Sequence, residues 1–279
     1  MKIILVAALL MLISCSKTNP NKNSTDLELP YELKQSESGI SFEVFSDSIT
    51  DENKYNYDNE VLKVGRSFTY AFKHITKEGK ELYFEKFRAD GDLQWAFVSA
   101  DHPGAIKTLT IKVMPGNAMA ETIPDYNQTN LKYLLGDDSS YSISGGVEND
   151  ANIWIHPPRD LYFEILELNP FPYVKRPLKP GHSWTWKLSI GDSWSDSRWK
   201  VWEGTISNQY TYRIDSKQSI KTPLGQLECY IIKSKAESRI GDTYLLAYYN
   251  EDYGFVKLEY TNIDGSKTLL DILQVEDGD

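Results

Sequence analysis

Leu62-Lys63-Val64-Gly65-Arg66-Ser67-Phe68-Thr69-Tyr70 recurs 116 residues later as Leu178-Lys179-Pro180-Gly181-His182-Ser183-Trp184-Thr185-Trp186. Five of the nine positions are identical, and two more are aromatic in both copies. Each copy reads as a glycine turn delivering a strand, because polar and aromatic residues then alternate with the two-residue period of an extended chain. The offset far exceeds the roughly 20–50 residues of a solenoid unit. It predicts two related β halves.

Working outward from the two copies, strand signals dominate. Runs rich in β-branched and aromatic residues lie between Gly, Asp, Asn and Pro punctuation. The expected strands of the first half are Ile40 to Phe45, Ser67 to Lys73, Glu81 to Arg88, Leu93 to Ser99 and Ile106 to Val113. Those of the second are Ser183 to Ile190, Trp199 to Ile206, Tyr210 to Ser216, Gln226 to Ser234, Thr243 to Tyr249, Gly254 to Tyr260 and Lys267 to Leu273. Asp90-Gly91-Asp92, Gly241-Asp242 and Asn262-Ile263-Asp264-Gly265 supply turns. No long stretch has helical periodicity, and the best short helix candidate is Asp160 to Leu168, after Pro157-Pro158. The expectation is an all-β, or nearly all-β, protein of antiparallel curved sheets, as two related half-barrel-like units.

The chain opens with Lys2 and the apolar run Ile3 to Ile13, the charged and apolar regions of an export signal. That run falls short of the roughly 20 residues needed to span a bilayer. It ends in Leu12-Ile13-Ser14-Cys15, which resembles the lipobox of bacterial lipoproteins. The resemblance implies cleavage after Ser14 and lipid attachment at Cys15. Ser16 is not aspartate, and no acidic cluster follows, so the resemblance also implies an outer-membrane lipoprotein facing the periplasm. The polar residues after Cys15 bury too little to fold and read as a tether. The expected organisation is signal 1–14, lipidated cysteine and tether 15–38, N-terminal β unit 39–150, proline-rich crossover 151–177 and C-terminal β unit 178–279.

After the second copy come Thr222-Pro223-Leu224-Gly225-Gln226-Leu227-Glu228-Cys229-Tyr230 and Asp252-Tyr253-Gly254-Phe255-Val256-Lys257-Leu258-Glu259. A Lys-x-Gly-x-x-Trp opening, a Pro-x-Gly turn into a strand and a late Tyr-Gly-Phe-Val-Lys are similar to exported β-rich lipoproteins of unknown function from Bacteroidetes. The resemblance implies a sheet like the curved half-barrel of LolA and LolB. Its motifs are turns, so it carries fold and no activity.

The chain has 279 residues, is 41% hydrophobic and carries a formal charge of -10, with no basic run. Such an acidic chain is a poor ligand for nucleic acid or anionic lipid, so contact with the membrane is expected through the anchor alone. With Cys15 lipidated, Cys229 has no disulfide partner and sits in a strand-like run as a small core residue. The four histidines His74, His102, His156 and His182 lack metal-ligand spacing. Asp90-Gly91-Asp92, Asp137-Asp138 and Asp192 to Asp196 are turn chemistry and lack calcium-loop spacing. No catalytic residue, cofactor or metal is expected.

Three features remain as binding candidates. Trp154-Ile155-His156-Pro157-Pro158-Arg159-Asp160 either presents His156 and Arg159 to an anionic or carbonyl group or stiffens the crossover, with Arg159 paired to an acid. Trp184, Trp186, Trp194, Trp199 and Trp202 are five of the seven tryptophans; they form core or line a concavity for an apolar ligand. Trp194, between Gly191-Asp192-Ser193 and Ser195-Asp196-Ser197, reads as a polar hairpin tip. Asp47-Ser48-Ile49 resembles a Bacteroidetes O-glycosylation acceptor, with Ser48 as its hydroxyl. The functional expectation is a lipid-anchored cell-envelope β module that binds an apolar ligand or an envelope protein. The alternatives are a periplasmic hydrolase with an unrecognised acid pair and a structural subunit of an outer-membrane assembly.

Overall fold

A computed structural model describes residues 31–123, 126–136 and 141–278. The signal, Cys15, most of the tether and Asp137-Asp138 lie outside the described residues. The strands are β1 (Tyr31–Gln35), β2 (Ser41–Phe45), β3 (Ser67–Ile75), β4 (Glu81–Ala89), β5 (Asp92–Val98), β6 (Thr108–Val113), β7 (Thr129–Leu135) and β8 (Tyr141–Glu148). They continue as β9 (Asn152–Ile155), β10 (Tyr173–Lys175), β11 (Ser183–Ile190), β12 (Ile206–Thr222), β13 (Gly225–Ser238), β14 (Gly241–Asn250), β15 (Gly254–Thr261) and β16 (Lys267–Glu276). Strand accounts for 55% and helix for 6%, so the protein is all-β.

β1 and β2 form a hairpin of their own, and the other fourteen strands share one antiparallel sheet. Its order is β10-β9-β8-β7-β6-β3-β16-β15-β14-β13-β12-β11, with the β4–β5 hairpin branching from β3. The sheet curls into a nearly closed barrel. Its two end strands meet at a seam, where the Tyr173 ring of β10 lies 5.7 Å from the Trp184 ring of β11. Alternation decides which face turns inward: Phe68, Tyr70, Phe72 and His74 of β3 are buried, as are Ile206, Asn208, Tyr210, Tyr212 and Ile214 of β12.

The inside of the curve is occupied by the chain itself. A 3-10 segment, Leu161–Leu168, buries seven of its eight residues. Tyr162 and Phe163 pack on Phe72 and Phe84 at ring separations of 5.1–5.8 Å. Phe171 lies 5.0 Å from Trp186. Buried polar groups of the sheet hold this segment by its backbone. Asn208 Nδ2 (3.2 Å) and the Thr243 hydroxyl (2.8 Å) donate to the Leu168 carbonyl, and the Tyr212 hydroxyl donates to that of Phe171 (3.2 Å). The stretch expected to be a crossover, 151–177, therefore supplies β9, β10 and the filling of the barrel.

Other expectations need correction. The tether stops short of 38, because Tyr31–Gln35 pairs with β2 and Tyr31 packs on Phe45 at 5.4 Å. Trp199 to Ile206 is not a strand. Asp196 clamps Arg198 through its carboxylate and the Lys200 amide through its carbonyl (2.8 Å), which makes an irregular loop from which Trp199 and Trp202 turn individually into the core. The β13–β14 turn is Arg239-Ile240, with Ser238 opposite Gly241, rather than Gly241-Asp242. β7 to β10 were not expected; Gly145-Gly146 interrupts the β8 pattern, and β9 and β10 are only four and three residues long.

Candidate functional site

Trp184, Trp186, Trp199 and Trp202 are buried as core, and Trp194 packs against it half-buried. Trp184 stacks on Tyr212 at 5.4 Å, and Trp186 on Tyr210 at 4.7 Å; the two tryptophans are 7% and 3% exposed. Trp199 stacks on Trp95 at 6.5 Å, and Trp202 is buried. Trp194 opens no hairpin. It ends a short 3-10 turn, Asp192–Trp194, and is half-buried, with its carbonyl accepting from Trp199 Nε1 (3.2 Å) and the Arg159 guanidinium 5.9 Å from its ring.

His156 and Arg159 do meet, but not around a vacant space. His156 is buried; its Nδ1 donates to the Pro157 carbonyl (2.7 Å), and its Nε2 accepts from Arg159 Nε (2.9 Å). The acidic neighbour is Glu167, buried in the 3-10 segment, with Oε2 at 3.4 Å from His156 and 3.8 Å from Arg159. Both ring nitrogens of His156 are engaged inside the protein, so His156 and Glu167 anchor the filling segment, while the Arg159 side chain stays 47% exposed beside Trp194.

Cys229 is fully buried, and burial pushes its thiol up to about 11, far from the thiolate that nucleophilic chemistry needs. Ser48 is exposed just past β2, 3.0 Å from the Ser46 hydroxyl. Among the described residues, no three His, Cys, Asp or Glu side chains gather as metal ligands. Acids from distant strands do share one region. Glu43 of β2 is buried, with the charges of Asp58 and, more weakly, Glu148 acting on it, and Glu148 of β8 accepts from the amides of Glu60 (3.0 Å), Val61 (2.9 Å) and Leu62 (2.6 Å). The cavity at Glu148 measures about 10 Å³, room for at most a water and none for a substrate.

A larger concavity lies on the outside. A groove of about 550 Å³ crosses β11, β12, β13 and β14. One wall is the cross-strand row Thr185, Thr211, Lys235 and Tyr244, and the other is Ser183, Arg213 and Lys233. Trp184, Tyr212 and Ser234 lie between the rows with their side chains turned inward. Lys233 is paired with Asp215 (3.0 Å), and Lys235 with Glu237 (2.8 Å) and Asp242 (2.9 Å). Among the described residues Arg213 has no such partner, so the groove presents one uncompensated guanidinium, two threonine hydroxyls and the half-exposed Tyr244 ring.

No protein-family model and no curated protein matches the chain. Solved structures are similar to it, among them the following three. A protein described as exported, with a YmcC-like fold, from Bacteroides fragilis is 12% identical, with 77% of this chain and 97% of that one covered and a TM-score of 0.41. A protein described as a lipoprotein from Parabacteroides distasonis is 11% identical, with 77% and 97% covered and a TM-score of 0.44. The hypothetical lipoprotein YmcC of Escherichia coli is 9% identical, with 80% and 92% covered and a TM-score of 0.33. The likeness to exported β-rich lipoproteins drawn from the turn motifs has its counterpart in these structures, and it concerns the fold alone.

Proposed function

We propose that this protein is a non-catalytic, lipid-anchored module of the cell envelope, held at the periplasmic face of the outer membrane through Cys15. In this reading it binds an extended segment of an envelope protein in the outer groove. The supporting observation is that the barrel interior is filled by Leu161–Leu168 and Phe171, while the outer face carries a groove of about 550 Å³ with an unpaired Arg213. The filled interior leaves no comparable room, and the free Arg213 guanidinium of the groove suits a strand bearing a carboxylate.

A photo-crosslinking residue at Thr211 in the full lipidated chain tests the groove. One discrete protein adduct is expected, lost in Arg213→Glu with the melting temperature unchanged. An adduct indifferent to Arg213→Glu removes the groove from the reading. For the anchor, fatty-acid labelling should mark the wild type and not Cys15→Ser, and equal labelling of both would contradict lipidation there.

A further inference from the structure

The β1–β2 hairpin lies across the seam of the barrel. On the β10 side, the Tyr173 hydroxyl donates to the Gly39 carbonyl (3.2 Å), and Asn152 exchanges two hydrogen bonds with the Ser41 backbone (2.9 and 3.0 Å). On the β11 side, the Lys187 amide donates to the Ser38 carbonyl (3.3 Å). The hairpin is thus a strap joining the two end strands of an incompletely closed sheet.

Under this strap lies a buried carboxyl without a counter-charge. Glu43 is 3% exposed. The loop 51–62 sets Asp58 near it, β8 sets Glu148, and Asn149 donates to it; Asp150 acts on Asp58 from the following turn. From β1, the Tyr31 hydroxyl donates to Asp58 (3.2 Å), and Tyr57 also bonds to it. Of the basic groups on this side, Lys54 stands over the Phe45 and Tyr55 rings and Arg176 borders the small cavity at Glu148; neither is among the groups that act on Glu43.

We propose that the hairpin Tyr31–Phe45 is a proton-locked strap, which holds the seam between β10 and β11 shut while the Glu43 carboxyl is protonated and releases it as that carboxylate ionises. Burial raises Glu43 to about 7, and the charges of Asp58 and Glu148 add to the rise, while its own backbone and Asn149 oppose it. Since the docked form holds this proton more tightly than the undocked form, docking is unaffected below the ordinary carboxylate range. It weakens as the pH rises from that range and reaches its full loss above about 7. Release would also free the β11 edge amide that Ser38 now covers. The strap stands independently of what the outer groove binds.

The test is amide hydrogen exchange on the full chain between pH 5 and pH 8, corrected for the intrinsic pH dependence of exchange. Protection of β1 and β2 should fall on the order of 10²-fold across that interval while β3 stays protected. Glu43→Gln should flatten the profile and leave the hairpin protected at both ends. Asp58→Asn, which leaves Glu43 in place, should shrink the fall. A flat wild-type profile, or one that Glu43→Gln leaves intact, overturns the proposal.

Discussion

The turn before β3 and the turn before β11 are built alike and placed differently. In the first, the Gly65 amide donates to the Val113 carbonyl (2.9 Å), and the Val113 amide returns a bond to Arg66 (2.9 Å). In the second, Gly181 donates to Ile214 (2.7 Å), and Ile214 returns a bond to His182 (2.9 Å). Each residue after the glycine also closes the same tight turn, Arg66 onto Lys63 and His182 onto Lys179. Yet β3 lies mid-sheet, between β6 and β16, and β11 is an end strand whose one paired strand is β12. The local sequence thus determines the turn and the alternation, while the rest of the chain determines how much packs around them. The two halves are not separate bodies, since β3 of the first pairs with β16 of the second.

The comparison predicts equal core cost at matched positions despite unequal sheet positions. Tyr70 and Trp186 are 2% and 3% exposed, because the filling segment covers the end strand as fully as neighbouring strands cover the middle one. Each change to Ala should cost about 3–5 kcal/mol in denaturant unfolding. A loss under about 1 kcal/mol at Trp186 alone would mean that the barrel is open beside β11, and would revive an apolar-ligand site.

A smaller effect should separate the residues after the glycines. Arg66 is buried; its Nε is 2.5 Å from Asp277, and its Nη1 donates to the carbonyls of Glu60 (3.0 Å) and Asp252 (3.2 Å). It ties the C-terminal end of β16 and the β14–β15 turn to the start of β3. His182 does nothing comparable; it lies against Trp184, partly exposed. Arg66→His should cost about 2–3 kcal/mol, because it strands buried carbonyls that a charged donor satisfied. His182→Arg should stay within about 0.5 kcal/mol. Equal costs would show that the turn, not its surroundings, sets the stability.

Much of the sheet was legible because two-residue alternation and turn chemistry are local. β11 begins and ends where its pattern does, and the turn expected at Asp90-Gly91-Asp92 is made by Asp90-Gly91, both at positive φ, with Asp92 already paired in β5. Cys229 was legible for the same reason. The filling of the barrel was not. Leu161–Leu168 is an apolar run too short to show which surface it faces, and only the closure of the sheet puts it inside. The groove was hidden because Arg213 becomes its unpaired cation only through the register of β11 on β12 and β12 on β13. Glu43 and Glu148 belong to distant strands, and nothing in either run marks them as sharing one region.

The last prediction concerns the glycines themselves, where the two copies share a strain and differ in crowding. Gly65 has φ +86° and Gly181 φ +91°, so alanine enters the left-handed region in both, at about 1–2 kcal/mol before the stiffer unfolded chain returns part of it. At Gly181 a new Cβ meets nothing within 4 Å, and that strain is the whole effect. At Gly65 it would lie 3.0 Å from the Gly278 Cα, so the segment after β16 must shift, and Asp277 in that segment holds Arg66. Gly65→Ala should therefore cost a few tenths to about 1 kcal/mol more than Gly181→Ala. That excess should vanish in an Asp277→Ala background, where the shift has no ion pair left to disturb. An excess that persists there would place the crowding in the backbone contact alone, and the two turns would then differ by packing rather than by their ties to the C-terminal strand.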